Sequence, residues 1–129
     1  MKLAIKNLSH GATPRLKFGT IAEFVLGQNY DLSLVFIGRA RSRQLNRLWR
    51  NKDKPANILS FPLEPTAGEI FINLETVRKR KENLLSIFIH GLAHLKGLDH
   101  GSKMEALESQ TVKYFQTHEQ NDRHRARRR

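Results

Sequence analysis

Three histidines in the second half of the chain have the residue type and spacing of a metal site. His90 and His94 are four residues apart, and His100 follows six residues later. On a helix, residues four apart lie on one face, so both imidazoles can reach a single ion. Gly97 stands where a left-handed helix end would turn the chain back and bring His100 to the same ion. The pattern predicts one Zn²⁺ ion held by His90, His94 and His100, with its fourth position open.

The residue after the first histidine limits the reactions that such a metal would serve. The spacing matches the long metzincin motif, but Gly91 stands where that motif has glutamate. In zincin peptidases this glutamate takes the proton from the metal-bound water, so Gly91 argues against a metallopeptidase. Asp99 is either the acceptor of a proton from a ligating histidine ring or an exposed loop residue, and both interpretations stay open.

The positive charge of the chain predicts a polyanionic partner. Its 129 residues include 23 Lys and Arg against 12 Asp and Glu, a formal net charge of +11. Basic residues cluster at 39–54, at 78–81 and in an arginine-rich segment at 120–129. Nucleic acid is the commonest polyanion for such surfaces, because neutralised phosphates release counterions. From the residues alone, Arg50 either steers phosphates with its neighbours or holds two phosphate oxygens at a reaction centre.

Composition narrows the class of protein further. The absence of cysteine excludes disulfides and thiolate metal sites. The longest apolar stretch, residues 84–95, is too short to cross a bilayer, and Lys6 interrupts the apolar run that a signal peptide needs. We therefore expect a cytoplasmic protein without membrane contact. It should fold as a single domain over residues 1–119, followed by a basic, disordered tail at 120–129.

Hydrophobic periodicity predicts the elements that position the histidines. Strands are expected at residues 3–8, 32–37, 58–61 and 69–72, and helices at 15–28, 41–49, 83–96 and from Ser102 onward. The helix at 83–96 is apolar nearly all round, which places it in the core. The strand at 32–37 is apolar on both faces and is expected at the centre of the sheet. This order predicts the α+β class: a small mixed four-stranded sheet packed with helices, with a zincin-like metal helix in the core.

Two further expectations concern segments that precede the histidine helix. In the helix at 41–49, Leu45, Leu48 and Trp49 form the apolar side, which a surface helix turns toward the core. The segment at 62–68 contains two prolines and a glycine, which predict a loop between two strands because proline interrupts a strand ladder.

Taken in order, these motifs resemble the YbeY family of bacterial ribosomal-RNA maturation factors. The resemblance is carried by LNRLWRNKDKPANILSFP at residues 45–62, GEI at 68–70 and HGLAHLKGLDH at 90–100. It implies a single-strand-specific, zinc-dependent endoribonuclease that matures the 3′ end of 16S rRNA and takes part in ribosome quality control. The zinc ligands of the family map onto His90, His94 and His100, and its essential arginine maps onto Arg50.

The resemblance also implies partners. The substrate would be single-stranded RNA or precursor rRNA on the small ribosomal subunit, with a GTPase or a ribosomal protein as a further partner, and we expect a monomer. The alternative is a ribosome-assembly RNA-binding factor whose metal is mainly structural. The chain departs from the family pattern in a shortened segment between Ile72 and His90 and in Ala56, Lys96 and Leu98, none of which is a metal ligand.

Overall fold

A computed structural model describes residues 1–98 and 101–127, with side chains up to residue 117. These residues form a four-stranded sheet with five helices around it. The strands are β1 (Lys2–Asn7), β2 (Asp31–Ile37), β3 (Ile58–Glu64) and β4 (Ala67–Asn73). The helices are α1 (Phe18–Leu26), α2 (Arg39–Arg50), α3 (Leu74–Lys79), α4 (Leu84–Leu95) and α5 (Ser102–Arg127).

The sheet has the strand order β1-β2-β4-β3. Strands β1, β2 and β4 are parallel, and β3 runs antiparallel to β4. Strand β2 lies between β1 and β4, and its residues Leu34 to Ile37 are all buried. The predicted central strand and the predicted mixed four-stranded sheet of the α+β class are both confirmed.

Helix α4 lies in the core of the protein. Its N-terminus is capped by Asn83, whose side chain accepts a hydrogen bond from the Ser86 N–H at 3.0 Å. Phe88 is fully buried, and its ring meets that of Phe18 edge to face at a centroid distance of 5.1 Å. The prediction of a buried helix that carries the first two histidines is confirmed.

The segment at 62–68 forms a tight hairpin rather than the predicted loop. Strand β3 continues through Pro62 to Glu64 and is followed closely by β4. Pro62 pairs in register with Gly68, and the register shifts between Pro62 and Glu64. The expectation of a loop is wrong because β3 is an edge strand, where a residue without an N–H can face away from the ladder.

Helix α2 turns polar residues toward the sheet. Leu48 and Trp49 are 64% and 71% exposed, whereas Ser42 and Asn46 are buried. The expectation that the apolar residues of this helix face the core is therefore wrong for Leu48 and Trp49. The reason is that the Ser42 hydroxyl and the Asn46 amide donate to backbone carbonyls of the loop at 54–56, at 2.6 and 2.8 Å.

Helix α5 is the longest helix and continues as helical backbone to Arg127. No glycine or proline interrupts residues 102–127, so nothing in the sequence ends the helix earlier. Residues 120–127 continue the backbone of α5. The expected division of the chain into a domain over residues 1–119 and a disordered tail at 120–129 stays a prediction. Neither α5 nor any other helix in the described part of the chain has the apolar length to cross a membrane.

Candidate metal centre

His90 and His94 lie one turn apart on α4, and their rings meet edge to face. Their Nε2 atoms are 3.1 Å apart, and the ring planes are nearly perpendicular at 85°. Both side chains are half-buried. Two nitrogens bound to one tetrahedral zinc ion at 2.0–2.1 Å would be separated by about 3.3 Å. The pair therefore has the spacing of two ligands of a single metal ion.

The described residues contain two of the three predicted ligands. The third, His100, and the neighbouring Asp99 lie outside them. Within the described ranges, no group of three or more His, Asp or Glu side chains is arranged to hold a metal ion. The two converging imidazole nitrogens suit zinc and other first-row metals, and a site built on them needs at least one more ligand.

Glu108 of α5 contacts His90 at the ring nitrogen that does not face His94. Its Oε1 contacts Nδ1 of His90, and both side chains are half-buried. A carboxylate at Nδ1 accepts a hydrogen bond from the Nδ1–H, which leaves the Nε2 lone pair directed toward His94. Metal-ligating histidines commonly have such a carboxylate partner, which fixes the tautomer and the ring orientation.

Glu108 is not among the site residues predicted from the sequence, although its position in α5 contains a signal. Met104 and Thr111 are buried, and Glu108 lies four residues after the first and three before the second. Residues at these intervals share one helix face, so Glu108 stands on the inward side of α5. A carboxylate is rarely placed there without a partner.

Helix α4 ends directly after the histidine pair in the turn that the sequence predicted. The N–H of Gly97 donates to the carbonyl of His94 at 3.0 Å, and the N–H of Leu98 donates to that of Ala93 at 3.2 Å. This pair of bonds is a Schellman motif, and Gly97 has the positive φ of +89° that the motif requires. The prediction of a left-handed turn at Gly97 is confirmed, and it lies immediately before residues 99–100.

The glycine that replaces the zincin glutamate is required by the packing of α4 on β3. A Cβ atom at Gly91 would lie 2.5 Å from Cδ1 of Ile58 and 3.0 Å from Oγ of Ser60. The Ser60 hydroxyl also donates to the Gly91 carbonyl at 3.1 Å. A side chain at this position would have to push aside the side chains of Ile58 and Ser60, so the close packing disfavours a general base there.

Arg50, the last residue of α2, is connected to the histidine helix through β3. Its Nη2 donates to the Ser60 carbonyl at 2.8 Å, and its guanidinium carbon lies 5.4 Å from the centroid of the Phe61 ring. Because Ser60 also bonds to Gly91, two hydrogen bonds join Arg50 to the residue beside His90. The side chain remains exposed, so its other N–H groups can bind a ligand.

Buried polar side chains fix the end of α2 that carries Arg50. Asn51 ends the helix in the left-handed region, at a φ of +56°. Asn73, buried at the end of β4, donates to the Ala56 carbonyl at 3.2 Å. Together with the bonds from α2, this contact holds the loop at 51–57 against the sheet. The guanidinium of Arg50 is therefore presented from a rigid base.

A basic surface covers α2 and the loop that follows it. We call it the basic α2 surface; its exposed members are Arg39, Arg41, Arg43, Arg47, Arg50, Lys52 and Lys54. Asp53 is the one acidic residue within this stretch, which leaves a surplus of six positive charges. Arg43 and Asp53 form a two-bond ion pair, at 2.9 and 3.2 Å. The hydrogen bond and the charge of Arg43 lower the pKa of Asp53.

Comparisons with known proteins identify the family and the fold of this chain. A sequence profile described as Endoribonuclease YbeY matches residues 6–119. The chain is 34% identical over 100 residues to Endoribonuclease YbeY of Colwellia psychrerythraea, a match that covers 66% of this chain and 64% of that protein. It is 35% identical over 104 residues to Endoribonuclease YbeY of Sinorhizobium fredii, covering 64% of this chain and 60% of that protein. These matches span less than two thirds of either relative.

A solved structure also resembles the fold. The solution structure of TM1509 from Thermotoga maritima aligns with a TM-score of 0.61 over 93% of both chains. The sequence identity is 22%, so this likeness concerns the arrangement of helices and strands alone.

Proposed function

Since the chain belongs to the Endoribonuclease YbeY family, which it matches over residues 6–119, we propose that it is a metal-dependent endoribonuclease acting on single-stranded RNA. The observation that carries this proposal is the convergence of the His90 and His94 Nε2 atoms, 3.1 Å apart, on the helix to which Arg50 is connected. The cellular role would be maturation of the 3′ end of 16S rRNA and ribosome quality control.

His90, His94 and His100 would hold one zinc ion. The spacing of the first two Nε2 atoms and the turn at Gly97 support this assignment. Bound zinc supplies Lewis acidity toward an oxygen of the phosphodiester. Glu108 would hold the Nδ1 proton of His90 and so keep its Nε2 available to the ion.

Arg50 would bind the phosphate at the cleavage position. A guanidinium offers five N–H donors, and the bond from Arg50 to Ser60 uses one nitrogen, so other N–H groups are available for two phosphate oxygens. Phosphoryl transfer increases the negative charge on these oxygens, and a fixed cation lowers the energy of that state. The Ser60 bond and the Phe61 ring restrict the side chain before RNA binds.

The remaining basic residues would bind the RNA backbone. The basic α2 surface has a surplus of six positive charges, and each phosphate contact made there would release counterions. The substrate would be precursor rRNA on the small ribosomal subunit in the cytoplasm, with a GTPase or a ribosomal protein as a further partner. We expect the protein to act as a monomer.

A second candidate is a ribosome-assembly RNA-binding factor with a mainly structural metal. The contact between His90 of α4 and Glu108 of α5 favours it, because an ion on His90 would also fix the last helix against the core. In that case, removal of the metal would reduce the stability of the fold rather than the rate of RNA cleavage.

The two candidates differ in their response to metal removal. An end-labelled single-stranded RNA that spans the precursor 3′ end of 16S rRNA is incubated with protein before and after treatment with a chelator, and then after zinc is restored. If the protein is an endoribonuclease, we expect cleavage to disappear with the chelator and to return with zinc, while the circular dichroism spectrum remains that of a folded protein. Binding without cleavage, together with unfolding on chelation, would instead support the assembly factor.

Two variants test the residues assigned to catalysis. His94→Ala and Arg50→Ala should abolish the cleavage ladder, whereas Arg41→Ala removes a cation of the same helix and should leave it visible. An unchanged ladder for His94→Ala, at equal protein concentration and with trace nuclease excluded, would contradict the proposed function.

A further inference from the structure

Trp49 is the most exposed of the large hydrophobic side chains in the described part of the chain. It is the only tryptophan in the sequence, and 71% of its surface is accessible. It lies in the last turn of α2, directly before Arg50. Single exposed leucines are common on protein surfaces. An indole exposed to this extent is unusual, because burial of a tryptophan side chain is strongly favourable.

The fold itself provides no inward position for this ring. Ser42 and Asn46 occupy the packed side of α2 and make the hydrogen bonds that hold the following loop. Replacing them with apolar residues would leave backbone carbonyls of that loop without donors. The helix is therefore fixed in a rotation that keeps Trp49, together with Leu48, at the surface.

The charges around Trp49 select between possible ligands. An apolar protein surface would have to cover a stretch with a surplus of six positive charges, at a large desolvation cost. Single-stranded nucleic acid avoids this cost because its phosphates neutralise the cations while its unpaired bases offer flat faces to the indole. Aromatic side chains among arginines and lysines are the usual platform for such strands.

We propose that Trp49 stacks on a base of single-stranded RNA bound along the basic α2 surface, and that it is a specificity-determining residue against duplex RNA. In a duplex, each base is stacked between its neighbours and offers no free face. Arg50 follows Trp49 directly and is fixed to Ser60, so the stacked nucleotide would adjoin the phosphate that Arg50 binds. The proposal rests on the proposed function for the identity of the ligand, but it concerns binding and not cleavage.

Intrinsic fluorescence reports directly on this residue, because the protein has no other tryptophan. The full-length protein is titrated with a single-stranded 2′-O-methyl RNA of about ten nucleotides, and in parallel with the same sequence as a duplex at equal phosphate concentration. Stacking should quench the emission clearly at saturation with the single strand and leave it nearly unchanged with the duplex. Undiminished emission at saturating single strand, with binding verified by anisotropy of a labelled oligonucleotide, would overturn the proposal.

Substitutions separate stacking from general attraction. Trp49→Ala should weaken single-strand binding about tenfold without changing duplex binding, and Trp49→Phe, which keeps an aromatic face, should recover much of the loss. Leu48→Ala is the matched control, since it removes an exposed apolar neighbour without a ring and should change neither affinity. Equal losses for Trp49→Ala and Leu48→Ala, or equal losses on both RNA forms, would contradict stacking.

The salt dependence distinguishes the indole from the cations around it. Trp49→Ala should leave the slope of log K against log salt unchanged, whereas Arg47→Ala should reduce it by about 0.7 for one lost phosphate contact. A protein that quenches and discriminates as described but cuts no RNA would retain this inference and refute the proposed endoribonuclease. Cleavage without quenching would refute this inference and retain the proposed endoribonuclease.

Discussion

The carboxylate of Glu108 contacts Nδ1 of His90, while Nε2 of the same ring lies 3.1 Å from Nε2 of His94. The two nitrogens of one imidazole thus face different elements: one faces the last helix and the other faces the predicted metal position. The contact joins residues that are 18 positions apart in the chain. Packing of α5 on α4 therefore orients the ring of His90, a predicted metal ligand.

Replacement of Glu108 should weaken metal binding. We expect Glu108→Ala to raise the zinc Kd by about 10- to 100-fold, and Glu108→Gln to raise it less because the amide oxygen can still accept a hydrogen bond from the Nδ1–H of His90. Competition with a zinc indicator measures the affinity. Glu105→Gln, at an exposed position of the same helix, is the matched control.

A second measurement on these variants excludes a purely structural effect. Nitrogen-15 NMR of metal-free protein should show the Nδ1–H tautomer of His90 in the wild type and a mixture of tautomers in Glu108→Ala. Equal tautomer populations and an equal zinc Kd in both proteins would refute the positioning role.

A side chain at Gly91 should destabilise the fold. The added Cβ of Gly91→Ala would meet Cδ1 of Ile58, and we expect a loss of about 1–3 kcal/mol in the free energy of unfolding. Urea unfolding monitored by circular dichroism measures this loss. The double variant Gly91→Ala/Ile58→Val, which lacks that Cδ1 atom, should recover part of it relative to Ile58→Val alone. Additive losses in the double variant would show that the contact is not the cause.

Arg50→Lys should reduce cleavage far more than it reduces stability. A lysine keeps the charge but cannot bond to the Ser60 carbonyl and to two phosphate oxygens in one plane. We expect single-turnover cleavage to fall by about 100-fold and the unfolding midpoint to stay close to that of the wild type, because the side chain is exposed. Arg41→Lys should cleave at nearly the wild-type rate. Similar rates for both lysine variants would mean that Arg50 acts only as a charge.

The Arg43–Asp53 pair should add a small pH-dependent contribution to stability. The hydrogen bond and the charge of Arg43 lower the pKa of Asp53, so folding favours the ionised carboxylate. Its contribution is present above the unfolded-state pKa of about 3.9 and is lost as the pH falls through the lower folded-state value. Urea unfolding of the wild type and Asp53→Asn should therefore differ near neutral pH and converge in strong acid. Arg43→Gln should behave in the same way, whereas Arg41→Gln should keep the wild-type pH dependence.

Patterns with a simple periodicity were sufficient to predict most of the fold. Strand β2 is apolar on both faces and is central, and α4 is apolar nearly all round and is buried. Gly97 adopts the left-handed turn because a helix end at this position needs a positive φ. The side of α2 that packs against the core could not be predicted in this way. Its rotation depends on carbonyls of a later loop that bind Ser42 and Asn46, and hydrophobicity carries no information about such bonds.

The site was predictable where its residues are close in sequence. His90 and His94 share one helix face, so their spacing alone brings them together. Glu108 comes from another helix, and its contact with His90 depends on how α5 packs. The connection from Arg50 to Gly91 likewise passes through Ser60, so residues from three separate segments must meet before it exists.

Strand β3 determines the electrostatic character of the site in two ways. The side chains of Ile58 and Ser60 on this strand lie so close to Gly91 that they disfavour a carboxylate there, and the Ser60 carbonyl holds the guanidinium of Arg50. One strand thus disfavours a negative charge at position 91 and fixes a positive charge at Arg50. Peptide bonds are neutral and gain little from this exchange, whereas phosphodiesters carry a charge on every linkage. The close spacing between one helix and one strand is therefore one of the features that favour a phosphodiester over a peptide bond as the substrate of the proposed function.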